Sequence, residues 1–323
     1  MFRHGKHDCT DLYTGKPDMN VPFKVTVAKT TRLLLALVFT ALPIVASANT
    51  LERIRSSNTF TLGYVPDLTP FSAQQGDKAS GYAIDLCLKI ADKLKTELNL
   101  PNLQVRYQPV TVADETSAVK LGNVDILCTP TPPTLERRKT ISYSIPVYTA
   151  GLSVLVRKDA AESLLNALNG REANPGPTWR ATINRGLSNQ TYATIEGGVT
   201  EDWIRERMRM LGVIASLVTV GNTDEGAKLV AARKADAFFA ERMLLKNQVA
   251  KGDTNNDLMV LDRIFEYTPV AMIVERGDED FRLLVDMALS EAYRSGAIEQ
   301  DYDKYLGGIN ETMKKLFRVY ALP

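Results

Sequence analysis

Histidine is nearly missing from this chain: 323 residues hold only two, His4 and His7, and both precede the point where a leader is expected to be removed. A remainder without histidine excludes a Ser-His-Asp or Cys-His nucleophile system and any histidine-ligated metal. Cysteine is almost as scarce, with three residues. Cys9 falls within the leader, leaving Cys87 and Cys128 as either one disulfide or two buried thiols, and spacing alone does not choose between them. Neither sign of charge dominates, with 39 Lys and Arg against 38 Asp and Glu, so there is no electrostatic footprint for nucleic acid. After residue 48 no apolar run approaches the length of a membrane-spanning helix.

Residues 24–48 carry Lys24, Lys29 and Arg32, then the run LLLALVFTALPIV, then Ala46-Ser47-Ala48. This is the layout of a secretory signal cleaved after about Ala48, with an uncleaved N-terminal anchor as the competing reading. No cysteine follows the cleavage point, which argues against lipid attachment. The polar residues before Val21 are unusual ahead of a signal, so both Met1 and Met19 are candidate starts. The remainder is long enough for one large domain or two lobes, and is expected to be soluble.

From Phe60 onward, β-like runs alternate with helical ones: FTLGYV, a helix over 84–98, LQVRYQPV, a short helix over 116–121, and VDILC. Ile84, Cys87, Leu88, Ala91, Leu94 and Leu98 recur at three- and four-residue steps and form one apolar face. A second block opens with GLSVLVRKD, passes a polar stretch over 166–177, and continues through TYATIEGGVTEDWIRERMRML, SLVTVG, a helix over 223–233, ADAFFAE and LMVLD. The chain returns through TPVAMIVERGD to helices over 280–295 and 298–306. No internal repeat is present. The order predicts an α/β protein of two lobes joined by crossing strands, with a ligand cleft between them.

The stretch DILCTPTPPTLERRKTISYS carries the sharpest signal. Its prolines predict a strand that ends near Cys128 and gives way to a stiff loop. Thr134 stands at an N-cap position, with Glu136 and Arg137 just inside a helix. A guanidinium fixed there can grip a carboxylate through two parallel bonds, although an arginine in a helix is commonly a solvated surface charge, as Arg138 and Lys139 are expected to be. In EGGVTED, two glycines before a helix suit an anion, and a plain turn with Thr200 as the cap fits equally well. Glu241, after a short apolar strand, is either a carboxylate for an ammonium group or a surface charge. Tyr64 and Phe71 are either ring walls of a pocket or core. Taken together, these groups match the needs of a free α-amino acid.

The stretch GYAIDLCLKIADKL from Gly81 resembles the signature of the extracytoplasmic solute-binding proteins of family 3, receptors of polar amino acid ABC transporters, departing from it at Ala83. The pattern Cys128-x-x-Thr131-x-x-x-x-Glu136-Arg137 resembles the glutamate/aspartate-binding branch. Similarity runs over about 62–306. The resemblance implies a type II periplasmic binding protein, with lobe one over 51–148 and 268–323, lobe two over 153–264, and hinges near 148–152 and 265–267.

It further implies that Arg137 binds the ligand α-carboxylate with help from the backbone of Val199 and Thr200. Glu241 would take the α-ammonium, Thr131 and the Pro130 carbonyl would line the ammonium side, and Phe71 would be the pocket aromatic. Val65 and Glu115 occupy positions where the acidic-ligand branch has arginines, and Pro132 replaces a threonine, so acidic ligands are disfavoured. The resemblance also implies a monomer in the periplasm, partnered by an inner-membrane permease, without cofactor, metal or catalytic step. A carboxylic-acid dehydratase on the same scaffold, with Glu241 or Glu115 as general acid or base, and a module feeding a sensor are the alternatives.

Overall fold

The computed structural model describes residues 49–171, 186–252 and 257–323. The expected leader, residues 1–48, and positions 172–177 of the polar stretch lie outside the described residues. In chain order the strands are β1 Thr59–Tyr64, β2 Asp67–Leu68, β3 Ser72–Gln75, β4 Lys78–Ser80, β5 Gln104–Pro109, β6 Ile126–Thr131, β7 Ile141–Tyr143, β8 Tyr148–Arg157, β9 Thr191–Ile195, β10 Ser216–Val220, β11 Ala237–Glu241, β12 Leu258–Val260 and β13 Glu266–Glu275. The helices are α1 Thr50–Ser57, α2 Tyr82–Glu97, α3 Glu115–Lys120, α4 Glu162–Leu168, α5 Val199–Leu211, α6 Thr223–Ala231, α7 Arg242–Ala250, α8 Glu279–Ser295, α9 Ala297–Leu306 and α10 Glu311–Tyr320.

One sheet runs β10-β9-β11-β8-β13-β6-β1-β5, with β12 added on β8 and β7 on β13; β2, β3 and β4 form a small separate sheet. At one end β1 pairs in parallel with β5 and β6, and at the other β9 pairs in parallel with β10 and β11. These are the βαβ units that the alternating pattern predicts. Between them run two ten-residue strands, β8 and β13, antiparallel to each other and paired from Glu266 opposite Leu152 to Val270 opposite Tyr148. Each continues past that ladder into one half: β8 onto β11, and β13 onto β6 and β7.

Each half packs on both faces of its part of the sheet. In the first half, Phe60, Leu62, Ile84, Ile90, Leu94 and Phe281 form one core, and Val119, Leu127, Ile141 and Ile273 the other. In the second half, alternate residues of a strand go to opposite layers: Val154 and Phe239 to one, Leu155 and Phe238 to the other. The Gly81 residue that opens α2 has φ +131°, and a Cβ there would lie 2.4 Å from the Phe71 carbonyl oxygen, so only glycine fits. The Asp278 carboxylate caps α8 by accepting from Phe281 N and also accepts from Thr50 N at 2.6 Å, fastening α1 to α8.

Two local expectations are corrected. β6 does not stop near Cys128 but runs to Thr131. Pro130 is tolerated because the β6–β13 ladder shifts register between the Leu127–Ile273 and Thr131–Ala271 pairs, where a missing donor costs little. Thr134 Oγ1 does accept from Arg137 N at 3.1 Å, but it opens only a single 3₁₀ turn, Arg137–Lys139, since β7 begins at Ile141 and leaves no room for a helix.

Cys87 on α2 and Cys128 on β6 are fully buried and joined by a disulfide. The bridge closes a loop of 41 residues, for which loss of chain entropy in the unfolded state corresponds to roughly 4 kcal/mol. Replacing both cysteines by alanine is expected to lower the unfolding free energy by about 3–4 kcal/mol in denaturant titration. Alkylation without reductant followed by intact mass should find neither thiol labelled in the wild-type protein.

Candidate functional site

A cavity of about 130 Å³ lies where the two halves of the sheet meet, and most of the candidate residues converge on it. Pro130 and Thr131 reach it from the end of β6, Arg137 from the 3₁₀ turn, Glu115 from the start of α3, Val199 and Thr200 from the start of α5, and Glu241 from the end of β11. A neighbouring cavity of about 310 Å³ shares Ala150, Val199, Thr200 and Glu241 with it. On the other side, a wider cleft of about 920 Å³ shares Leu68, Val112 and Ile195 and is bordered by Val65 and Arg106.

Arg137 is brought in by the short turn and held from two directions. Its guanidinium lies 3.6 Å from Glu115 Oε2 and donates to the Gly197 carbonyl at 3.2 Å. Gly197 belongs to the second half, so this bond crosses the cleft. The glycine corner is close-fitting: Gly197 has φ +71°, and a Cβ there would meet Ala113 Cα at 3.0 Å. The glycine corner therefore serves the cleft through a carbonyl. α5 opens on Gly198, with no side-chain cap; Thr200 lies inside the helix, so of the two readings of EGGVTED the one with a Thr200 cap does not hold. The Glu201 carboxylate accepts from Gly197 N at 3.1 Å, which leaves Gly197 with no free amide to offer the cleft.

Glu115 is 4 % exposed and faces Arg137, not solvent. The Thr131 hydroxyl lies 3.3 Å from Glu115 Oε2 and 3.1 Å from the Thr129 carbonyl. Burial pushes the Glu115 carboxyl up from 4.5 to about 7, against the opposing pull of Arg137 and Thr131. Glu241 is the N-cap of α7, accepting from Met243 N at 2.6 Å and Leu244 N at 3.1 Å, and its other oxygen accepts from the Tyr148 hydroxyl at 3.1 Å. Burial again outweighs these bonds and raises its carboxyl from 4.5 to about 7. The Tyr148 hydroxyl is itself raised, by burial first and by Glu241 second.

Phe71 does not line the cavity. It is 4 % exposed and packs against Tyr148, with centroids 4.9 Å apart, and against Tyr82 at 6.5 Å. The apolar wall is built instead by Leu68, Val112, Ile195, Phe239 and Leu244. Tyr64 is likewise core, at 2 % exposure. Val65 borders the wider cleft and donates its amide to Thr129 Oγ1. Tyr148 and the Gly197 carbonyl went unnoticed in the sequence, because nothing local to YTAGL or EGG reveals partners 93 and 60 residues away.

The buried arginine at position 157 provides a contrast. It donates to the carbonyls of Val230 and Ala235 and pairs with Asp236, fastening strand to helix away from the cleft. Arg137 instead sits at the cleft, with Glu115 and the Gly197 carbonyl as partners. The cavity thus brings together one guanidinium, two carboxyl groups and a helix N-terminus drawn from both halves.

The chain is similar to the L-glutamate/L-aspartate-binding protein of Pseudomonas aeruginosa, at 29% identity over 267 residues, covering 81% of this chain and 82% of that protein. It is also similar to the glutamate/aspartate import solute-binding protein of Salmonella typhimurium, at 22% over 261 residues and 80% of each. Among solved structures, a mutant of ArgBP from T. maritima superposes with TM-score 0.65 at 19% identity, covering 80% of this chain and 99% of that one. An ancestral amino acid-binding protein, a precursor of cyclohexadienyl dehydratase, superposes with TM-score 0.64 at 24% identity, covering 80% and 99%. The fold is that of the two-lobed periplasmic binding proteins of type II. Residues 60–308 match the sequence model of the bacterial extracellular solute-binding proteins, family 3, and with most of its length so covered the chain belongs to that family.

Proposed function

We propose that this protein is the receptor of an amino acid ABC importer, enclosing one free L-amino acid between two lobes and presenting it to a permease in the inner membrane. The observation that carries the reading is the joint position of Arg137 and Glu241 on the wall of one cavity that the N-terminus of α5 also enters. A guanidinium has five N–H donors, and the contacts to Glu115 and Gly197 leave several for the ligand α-carboxylate, together with the amides at Val199 and Thr200. The α-ammonium meets Glu241, the Thr131 hydroxyl and the Pro130 carbonyl. Lobe one comprises residues 51–148 and 268–323 and lobe two residues 153–264, with bending of β8 and β13 near 148–152 and 265–267 opening the cleft. The protein acts as a monomer in the periplasm, after a leader is removed at about Ala48.

Selectivity follows from charge. Arg137 is the only cation lining the central cavity among the described residues, and Glu115 already faces it. An acidic side chain would bring a further carboxylate into a site with no second cation, at a cost of several kcal/mol that the shared α-group contacts do not offset. The two relatives named for glutamate and aspartate are, on this reading, related receptors of different preference. In a thermal-shift and titration panel of the common L-amino acids, neutral or basic ligands are expected to bind tightest. Glutamate or aspartate emerging first would overturn the assignment of Glu115 and Val65.

Arg137→Ala is expected to weaken amino acid binding by on the order of 3 kcal/mol, more than a hundredfold, while the folded protein persists. Calorimetric titration within a few-fold of wild type would remove Arg137 from the site.

The pH dependence has a definite sign. Glu115 and Glu241, raised from 4.5 to about 7, give the empty cleft a stability contribution that is fully present below 4.5 and lost as the pH rises through about 7. A ligand ammonium favours the ionised carboxylates, so binding releases protons below that pH. The empty protein is expected to lose melting temperature between about pH 5 and 8, while the ligand-induced gain grows over the same range. Glu241→Gln should flatten both trends, and a wild-type gain that is constant with pH would contradict the role of these carboxyls.

A further inference from the structure

The second half contains another cavity, of about 330 Å³, distinct from the cleft and lined by Tyr192, Trp203, Phe239, Phe265, Arg207 and Arg263 among others. Its rings form a connected cluster: Trp203 to Phe265 at 5.8 Å, Phe265 to Phe239 at 5.5 Å, and Phe239 to Tyr192 at 5.6 Å. Two exposed guanidiniums lie over rings of this cluster, Arg207 at 5.3 Å from the Trp203 centroid and Arg263 at 5.0 Å from that of Phe265.

Among the exposed arginines of the described residues, Arg55, Arg205, Arg209 and Arg233 each have a carboxylate. Among the described residues neither Arg207 nor Arg263 has an ion-pair partner; Arg263 donates only to carbonyls at the end of α4, the nearer being Leu168 at 3.0 Å. A further donor is idle here. Trp203 Nε1 is buried and has no acceptor among the described residues. An indole N–H taken out of water ordinarily finds a partner, and leaving it without one costs about 1–3 kcal/mol.

Aromatic walls, two cations without carboxylates and an indole donor without an acceptor meet around one cavity and suit an apolar body that carries an anion. We propose that this cavity is a second ligand site, for a small aromatic or short-chain carboxylate whose apolar body lies among the rings and whose carboxylate takes the charge of Arg207 and Arg263 and the hydrogen bond of Trp203 Nε1. Trp203 and Phe239 also face the cleft cavities, Trp203 beside Thr200 and Glu241 and Phe239 beside Arg137. The two sites therefore share a wall at Trp203 and Phe239, while Arg207 and Arg263 line only the second.

The test is calorimetric titration of the wild-type protein with 3-phenylpropionate and octanoate, using 3-phenylpropionamide as the uncharged control. Saturable binding of the carboxylates is expected, at least tenfold weaker for the amide and at least tenfold weaker in Arg207→Gln, an exposed position whose change leaves the melting temperature near wild type. Binding should be unaltered in Arg137→Ala, which separates this site from the amino acid cleft whatever the fate of the cleft assignment. Carboxylate binding lost in Arg137→Ala would locate it in the cleft and overturn the proposal. No saturation at millimolar concentration, or equal affinity for acid and amide, would overturn it as well.

Discussion

Bringing one partly exposed guanidinium and two carboxyl groups, one of them buried, to the same seam is the constraint around which the rest of the structure is arranged. The effective penalty is several kcal/mol for each ion unless bonds replace the lost hydration. Here each ion has partners from a different element. Glu241 is satisfied by the first turn of α7 and by Tyr148 from β8, Glu115 by Thr131 at the end of β6 and by Arg137, and Arg137 by Glu115 and the Gly197 carbonyl. These elements must therefore end where they do. A β6 that stopped at Cys128 would leave Thr131 unplaced, and a full helix after Thr134 would take residues that β7 needs and carry Arg137 elsewhere.

Much of the fold was legible because it rests on local periodicity. The apolar face of α2 and the βαβ alternation reflect burial on one side of an element, which the sequence records every three or four residues. The reading failed where long-range pairing overrode local preference. Pro130 belongs in a loop by its own chemistry, and only the shifted register against β13 lets it sit in a strand. Thr134 supplies the hydrogen bond of a cap, yet the length of a helix is decided at its far end, and there Ile141 pairs with Glu275 in a strand.

The site divides in the same way. Arg137 and Glu241 were recognisable because each stands beside a local cue, a proline-stiffened turn and the end of an apolar strand. Phe71 was misjudged because a ring beside a turn looks alike in core and pocket, and here it fills the space between Tyr82 and Tyr148. Whether Glu115 met solvent or cation could not be read from its neighbours in ADETSAV. Its 4 % exposure is fixed by the fold around it, including Arg137, 22 positions further along the chain.

The seam is also where motion is least costly. The halves are joined by a continuous five-pair ladder between β8 and β13, which can bend without breaking hydrogen bonds. Across the cleft, Arg137 donates to Gly197, that glycine corner fits closely against Val112 and Ala113, and Ile195, Met243 and Leu244 pack against the core of the first half. On the proposed function, opening the cleft breaks these contacts, to which the exposed Arg137–Gly197 bond is one contributor. On that reading, a ligand that bridges Arg137 and Glu241 adds contacts that only the closed form makes, and its differential affinity for the two forms shifts the population. Under the proposed function, the same cross-cleft contacts set both how readily the cleft opens and how strongly a bound zwitterion holds it shut.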